Sequence, residues 1–189
     1  MGGILKSTWE MLHDGRFLKK ALMIACPVAL QGMLNTIVNM VDTLMIGGLG
    51  STAIAAVGLA NKVFFVFSLL VFGIVSGGGI LAAQFWGSGD VKNIRKVLGL
   101  CVMLAMVGAL FFVIPAIASP KMVMRIFTTS EGSIELGAKY LRIAALCYPF
   151  IALTNVYVAM LRASNKVVFP VICSCIAIAI NICLNYVLI

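Results

Sequence analysis

The residues of this sequence that could do chemistry lie along one face of a long apolar run near the N-terminus. Gln31, Asn35, Asn39 and Asp42, here called the polar stripe, are separated by four, four and three residues, which places them on one side of a helix. Pro27 lies one further step of four along this face and is a candidate helix bend. A carboxylate deep in a bilayer costs roughly 2.5–3.5 kcal/mol on insertion scales, so this face must contact partner helices or water. A hydrogen-bonded seam between helices and a water-filled cavity both meet that condition, and the ionisable residue at the end of the stripe favours the cavity.

Two amides near the C-terminus offer partners for the acid. Asn181 and Asn185 are four residues apart, on one face of the last apolar run. With a rise of about 1.5 Å per residue, they lie roughly 21 and 27 Å from the start of that run, and Asp42 lies roughly 30 Å from the start of its own run. One carboxylate and two amide oxygens suit a hard monovalent cation such as Na+, or a proton carried by the acid. The alternative is that the two asparagines only hold helices together by hydrogen bonds.

A lysine in the second apolar run lies near the acid in sequence. Lys62 and Asp42 are at comparable distances from the tight turn that joins the first two runs, so an ion pair between them is geometrically possible. The alternative is that Lys62 snorkels outward and places its ammonium group among the lipid headgroups.

Catalytic chemistry finds little support in the remaining residues. His13 is the single histidine, and the six cysteines fall inside apolar runs, where a cysteine is ordinarily a small buried hydrophobe. Asp42 is the only acid well inside an apolar run, so a pair of acids for intramembrane catalysis is lacking. We therefore expect no enzyme activity, no cofactor, and no metal site beyond the possible cation. The cysteines are Cys26, Cys101, Cys147, Cys173, Cys175 and Cys183.

The elements that would position these residues are membrane helices. Of the 189 residues, 62% are hydrophobic and 11% are charged, whereas soluble domains average about 45–50% and about 25%. Five apolar runs are each long enough to cross a hydrocarbon core of about 30 Å, which takes about 20 residues. The sequence predicts an all-α integral membrane protein with five transmembrane helices over residues 21–189, after an amphipathic segment over residues 1–20 on the inner membrane surface. The runs are Ala21–Leu49, Ala53–Phe85, Val97–Ala118, Leu136–Leu161 and Val167–Ile189.

Local signals refine these helices. Ser76 and the three glycines Gly77, Gly78 and Gly79 predict a close helix–helix approach or a bend in the second run. Trp86 marks the membrane interface, and residues 87–90 predict a turn. Pro149 interrupts the fourth run, and residues 119–135 predict a turn or two of surface helix or loop.

The basic residues predict the orientation of the helices. The net charge is +8, from 14 Lys and Arg against 6 Asp and Glu. With the N-terminus inside, nine basic residues fall in inner segments and three in outer ones, so the positive-inside rule places the N-terminus in the cytoplasm of a multi-pass plasma-membrane protein, and we expect a bacterial inner membrane. Because the charges lie between apolar runs, no nucleic-acid partner is expected. The inner residues are Lys6, Arg16, Lys19, Lys20, Lys92, Arg95, Lys96, Arg162 and Lys166, and the outer ones are Lys121, Arg125 and Lys139.

The order of motifs resembles a known transporter family. The stretch ACPVALQGMLNTIVNMVDTLMIGGLGSTAIAAVGLANKVFF, followed by GIVSGGGILAAQFWGSGD, is similar to the opening of multidrug and toxic compound extrusion (MATE) transporters. MLRASNKVVFPVI is similar to the inner loop before the family's fifth helix, and NICLNYVLI is similar to the outer end of that helix. The resemblance covers residues 15–189.

The resemblance implies a fold and a mechanism. Such transporters have twelve helices in two six-helix lobes, and they exchange organic, often cationic and aromatic, solutes for Na+ or H+ by alternating access. It implies that Asp42, Asn181 and Asn185 form the cation-coupling site, although some members carry an acid where Asn185 stands. The cavity and substrate path would include Gln31, Asn35, Asn39 and Lys62. The sixth helix and the second lobe are missing from this chain, so we expect a fragment of the N-lobe that does not transport alone.

Two alternatives remain open for the function. A lipid-linked precursor flippase of the same superfamily would need a basic central cavity, whereas the apolar runs offer only Lys62 and Arg142 as cations and Asp42 opposes an anionic substrate. A membrane scaffold that only supports a partner would tolerate neutral substitution of Asp42.

Overall fold

A computed structural model describes residues 15–47 and 50–188, and every regular element in these residues is helical. This result confirms the predicted all-α membrane fold. Most of the predicted amphipathic segment over residues 1–20 lies outside the described residues. The elements are α1 (Gly15–Gly47), α2 (Ser51–Gly87), α3 (Val91–Ala118), α4 (Pro120–Arg125), α5 (Glu131–Ala144), a 3₁₀ turn (Ala145–Cys147), α6 (Tyr148–Ala163) and α7 (Val168–Leu188).

The helices match the five predicted apolar runs. Three helical stretches are long and apolar enough to cross a membrane, namely Ser51–Gly87, Val91–Ala118 and Glu131–Ala163, and Val28–Val41 and Val168–Leu184 are shorter apolar helices. The fourth stretch begins earlier than predicted, at Glu131, and the 3₁₀ turn interrupts it immediately before Pro149. Pro149 lies in the first turn of α6, where its missing N–H leaves no intrahelical bond unmade.

The described residues form two compact units, one from the described parts of residues 1–41 and 167–189 and the other from those of residues 42–166. In the second unit, α2 packs against α3, α5 and α6. The centre of this unit is aromatic, since Phe67 is fully buried and stacks on Tyr148 with ring centroids 4.6 Å apart and planes at 9°. Phe112 of α3 meets Phe67 edge-on at 5.8 Å. Stacked and edge-on ring pairs of this kind add to the packing between helices.

Small residues bring the helices of the second unit close together. Gly78 of α2 lies so near the Cys101 Sγ of α3 that a Cβ at position 78 would overlap it, and the Met160 Cε of α6 would be 3.2 Å away. A Cβ at Gly137 of α5 would lie 3.3 Å from the Ala56 carbonyl oxygen of α2. The first part of α2 therefore lies beside α5 and its last part beside α6, so α2 runs in the same direction as the α5–α6 stretch.

Two similar turns close one end of the second unit, here called the Trp86 end. After α2, the Asp90 N–H donates to the Phe85 carbonyl oxygen at 2.9 Å, around Gly89 with φ of 75°. After α6, the Lys166 N–H donates to the Leu161 carbonyl oxygen at 2.8 Å, around Asn165 with φ of 57°. Both are Schellman motifs, in which glycine or asparagine accepts the left-handed conformation at the helix end. The predicted turn at residues 87–90 is therefore confirmed.

The opposite end of the second unit carries α4 and the start of α5, and is here called the α4 end. The predicted surface helix is the six-residue α4, which packs against α5 and has Pro120 in its first turn. Arg125 pairs with Glu131 at 3.5 Å, and Lys139 pairs with Glu135 at 3.3 Å. These ion pairs are solvent-exposed and contribute little stability.

Candidate functional site

The polar stripe of α1 makes a hydrogen bond to α7 within the first unit. Gln31 is buried, with 9% of its surface exposed, and its Nε2 donates to the Ser174 Oγ of α7 at 2.5 Å. Val28 and Leu34, about one turn before and after it, are half-buried. The fourfold spacing that placed Gln31 on one helix face thus brings it against another membrane helix, where the amide finds the partner that burial requires.

The other described members of the stripe are more open. Asn35 and Asn39 are exposed in the first unit, next to apolar residues such as Ile37 that are exposed as well. Asn181 of α7 is half-buried. Exposed amides on an otherwise apolar membrane helix cannot be satisfied by acyl chains, so their surroundings in the bilayer must be protein or water.

The predicted cation site lies only partly among the described side chains. The side chains of Asp42, Asn185 and Pro27 are outside them, although all three positions fall in helices, α1 being continuous from Gly15 to Gly47. Lys62 of α2 is exposed. The Asp42–Asn181–Asn185 site and the Asp42–Lys62 ion pair therefore stay predictions.

A cavity in the second unit adds polar residues that the sequence did not single out. It has a volume of about 340 Å³ and is lined by Ser68, Leu69, Val71, Phe72, Val75 and Asn155. The Ser68 hydroxyl donates to the Phe65 carbonyl oxygen at 2.7 Å, and the Asn155 Nδ2 donates to the Ile151 carbonyl oxygen at 2.9 Å. One hydrogen of the Asn155 Nδ2 is engaged by its own helix, and its Oδ1 can accept a hydrogen bond in a cavity that Phe72 also lines. Such a lining suits a solute with an apolar body and a hydrogen-bond donor or positive charge.

The sequence analysis did not identify three residues that take part in these contacts and in the cavity lining. Ser174 and Ser68 are common small residues of membrane helices and carry no distinctive spacing. Asn155 had a usable signal, because an amide in the middle of an apolar run is as costly there as in the first run.

The described residues hold no group of three or more His, Cys, Asp or Glu side chains able to bind a metal ion, and the cysteines among them are free. Apart from Lys62, the described polar side chains of the candidate sites carry amides or hydroxyls. They can donate and accept hydrogen bonds, and their oxygens can coordinate a hard cation.

The Gln31–Ser174 hydrogen bond predicts a measurable coupling between α1 and α7. We expect Gln31→Ala and Ser174→Ala to be non-additive in a double-mutant cycle of thermal unfolding in detergent, by about 0.6 kcal/mol and at most about 1.7 kcal/mol, the range found between membrane helices. Each substitution should lower the free energy of unfolding by less in the variant that already carries the other substitution, because the hydrogen bond is then already absent.

Thr36 supplies the matched control for this cycle. Its hydroxyl donates to the Gly32 carbonyl oxygen of its own helix at 3.0 Å. Thr36→Val combined with Ser174→Ala should therefore be additive. Additivity of the Gln31 and Ser174 substitutions as well would contradict the hydrogen bond.

The fold and the polar residues together define a class: a multi-pass α-helical membrane protein whose membrane helices carry amides on faces that lipid cannot satisfy. A family model described as MatE matches residues 27–187, which is most of the chain. The chain belongs to the MatE family.

Several curated proteins are similar to this chain over most of its length. It is 28% identical over 173 residues to a probable multidrug resistance protein NorM of Thermotoga maritima, covering 90% of this chain and 37% of the relative. It is 30% identical over 172 residues to the probable multidrug resistance protein YoeA of Bacillus subtilis, covering 86% and 35%. A probable multidrug resistance protein NorM of Bradyrhizobium diazoefficiens is 32% identical over 179 residues, covering 90% and 36%. The chain thus spans little more than a third of the length of these relatives.

Proposed function

We propose that this chain is part of a multidrug efflux transporter that exports organic, often cationic and aromatic, compounds. The observation that carries the proposal is the MatE match over residues 27–187, together with relatives whose names describe multidrug resistance. The cavity beside Phe72 and Asn155 supports it, because an aromatic ring next to an amide acceptor suits such solutes.

The proposed mechanism is antiport with Na+ or H+. Cation or proton binding at Asp42, assisted by Asn181 and Asn185, would change the hydrogen bonding of α1 and bend or repack this helix near Pro27. Substrate would then bind less tightly in the outward-open state and leave. Coupling of this kind is a free energy shared by two sites and is reciprocal, typically about 1–3 kcal/mol.

An exposed amide of α1 supports a wet substrate path. Asn35 is exposed on an otherwise apolar helix, so in the bilayer its surroundings must include water, solute or further protein. We assign Gln31, Asn35, Asn39 and Lys62 to this path, as the sequence predicts, and treat the cavity lined by Ser68 and Asn155 as a separate feature of the second unit.

We further propose that transport requires more polypeptide than these residues. The relatives are more than twice as long as the part that this chain matches. A sixth helix and a second lobe would complete a cleft that opens alternately to each side. The N-terminus would be cytoplasmic, as the basic residues indicate, and we propose a bacterial inner membrane as the location.

The test is efflux by the complete gene product in a drug-sensitive bacterial strain. We expect lower accumulation of ethidium than in cells with an empty vector, and collapse of the Na+ or the proton gradient should abolish the difference. Unchanged accumulation of ethidium and of other cationic dyes would contradict efflux and favour a scaffold. Translocation of a lipid-linked pyrophosphate in proteoliposomes, without dye export, would favour the flippase.

A further inference from the structure

The Trp86 end of the second unit carries a cluster of basic side chains on two helices that pack together. Lys92, Arg95 and Lys96 lie in the first turns of α3, and Lys166 lies in the turn that ends α6. All four side chains are exposed, and α3 and α6 are in contact. Arg162 lies nearby in the last turn of α6. It already has an interaction of its own, so it is not counted in this cluster.

The contacts around Gly78 place these charges at similar depths. Gly78 meets both Cys101 and Met160, so these three residues mark one level of the unit. With a rise of about 1.5 Å per residue, Lys96 lies roughly 7–8 Å beyond that level on α3, and Lys166 lies no more than about 9 Å beyond it after α6. By the same arithmetic Arg95 lies roughly 9 Å and Lys92 roughly 13–14 Å beyond it, so the four charges occupy a zone about 6 Å deep at the end of the unit.

The same zone carries a marker of the membrane interface. Trp86 ends α2 about 12 Å beyond Gly78 by the same rise, and 40% of its surface is exposed. Tryptophan concentrates at the headgroup level of membranes, where its ring is half in the apolar phase. A basic cluster near this level is within reach of lipid phosphates.

The two ends of the unit differ in how their charges are balanced. At the α4 end, Arg125 and Lys139 each have a glutamate of this unit as partner, whereas the exposed Lys121 is in neither of these ion pairs. At the Trp86 end, the acid among the described side chains is Asp90, and its carboxylate caps α3, accepting from the Asn93 N–H at 3.1 Å and from the Asn93 Nδ2 at 2.6 Å. The ion pairs formed by the described side chains include none of the four basic residues of the cluster.

The cluster is also held in place by the backbone. The Schellman motif after α6 fixes the position of Lys166, and the one after α2 delivers Asp90 to the start of α3. Binding an anion here therefore costs side-chain ordering but little backbone ordering.

The geometry points to a binding site for the phosphate of an anionic phospholipid, formed by Lys92, Arg95, Lys96 and Lys166 beside Trp86. Each basic residue near a membrane surface contributes an attraction that falls off within a Debye length, so four at the same end of two packed helices favour anionic over zwitterionic headgroups. The inference does not depend on the transport function.

Trp86 allows the site to be observed directly. In the Trp9→Phe variant of these 189 residues Trp86 is the remaining tryptophan, and energy transfer from it to dansyl-labelled phosphatidylglycerol in phosphatidylcholine nanodiscs reports lipid at the site. We expect transfer to saturate at a much lower mole fraction for labelled phosphatidylglycerol than for labelled phosphatidylcholine. Arg95→Gln, Lys96→Gln and Lys166→Gln together should weaken the preference roughly tenfold to a hundredfold, and raised salt should weaken it in the parent.

The α4 end provides a control with an equal change in charge. Lys121→Gln, Arg125→Gln and Lys139→Gln remove three charges far from Trp86 and should leave the preference unchanged. The conservative exchanges Arg95→Lys and Lys96→Arg should retain it, and unchanged elution in gel filtration checks the fold. Equal loss in both triple variants, no preference in the parent, or displacement of the lipid by millimolar inorganic phosphate would each overturn the proposal.

Discussion

Asp42→Asn in the complete gene product is expected to remove most cation-driven drug efflux. The substitution keeps the size of the side chain and removes its charge, so it separates the role of the carboxylate from that of helix packing. If the acid supplies a coupling free energy of about 1–3 kcal/mol, its loss reduces the response of substrate affinity to the cation by about 5–150-fold. The measurement is ethidium efflux from cells or proteoliposomes under an imposed Na+ gradient and, separately, a proton gradient.

The control for this prediction is an acid of the same chain outside the apolar runs. Glu135 is exposed and pairs with Lys139 at 3.3 Å on the surface of α5, so Glu135→Gln should leave efflux unchanged. Efflux by Asp42→Asn at the rate of the parent, in Na+ and in Na+-free buffer across the pH range, would overturn the coupling role. It would leave the MatE membership and the helical fold untouched.

Amides and acids inside a membrane helix are easier to identify as functional candidates from the sequence than serines are. The free-energy cost of an amide or acid in lipid made the polar stripe visible without any structure, and Gln31 is indeed buried against a partner helix. The identity of that partner atom, Ser174 Oγ, could not be predicted, because it depends on the rotation of α7 about its own axis. Serine is tolerated on any face of a membrane helix, so its spacing carries no information.

The number and approximate position of the helices could be predicted from the length and hydropathy of the apolar runs. The positions of the helix ends depend on local chemistry and were predicted less well. The first run was predicted to begin at Ala21, but among the described residues α1 already includes Gly15 and charged residues such as Lys19. Hydropathy marks the part of a helix that crosses lipid, and the backbone hydrogen bonds continue beyond it into the headgroup region. At the end of α2, the turn at residues 87–90 was predictable because its glycines accept a left-handed conformation, whereas the left-handed Asn165 after α6 was not predicted.

The three consecutive glycines of α2 predict a close helix contact, but the sequence does not tell which glycine makes it. Their presence predicted a close helix approach or a bend, and a close approach is present. Only Gly78, however, has a neighbour where a Cβ would be, whereas Gly77 and Gly79 face open space. Adjacent helix positions point about 100° apart, so the glycine at the contact is fixed by tertiary structure and not by composition.

Gly78→Ala is expected to destabilise the second unit by about 1–3 kcal/mol, the usual cost of overfilling a well-packed core. The new methyl group would overlap the Cys101 Sγ, which belongs to a short side chain that is itself buried, with 4% of its surface exposed. The Met160 Cε, at 3.2 Å, ends a flexible side chain and can move. The strain therefore falls on the contact between α2 and α3. Thermal unfolding of the purified protein in detergent measures it.

Two further variants separate this contact from the general effect of removing a glycine. Gly79→Ala lies on the same helix with no atom near its Cβ, and it should be neutral or slightly stabilising because alanine favours a helix by about 1 kcal/mol over glycine. Cys101→Ala should rescue Gly78→Ala, since it removes the sulfur that the new methyl group meets. Equal destabilisation by Gly78→Ala and Gly79→Ala, or no rescue by Cys101→Ala, would mean that the glycines act through backbone flexibility. If Cys101→Ala restores the stability of Gly78→Ala, the role of Gly78 is to leave room for the Cys101 side chain of α3.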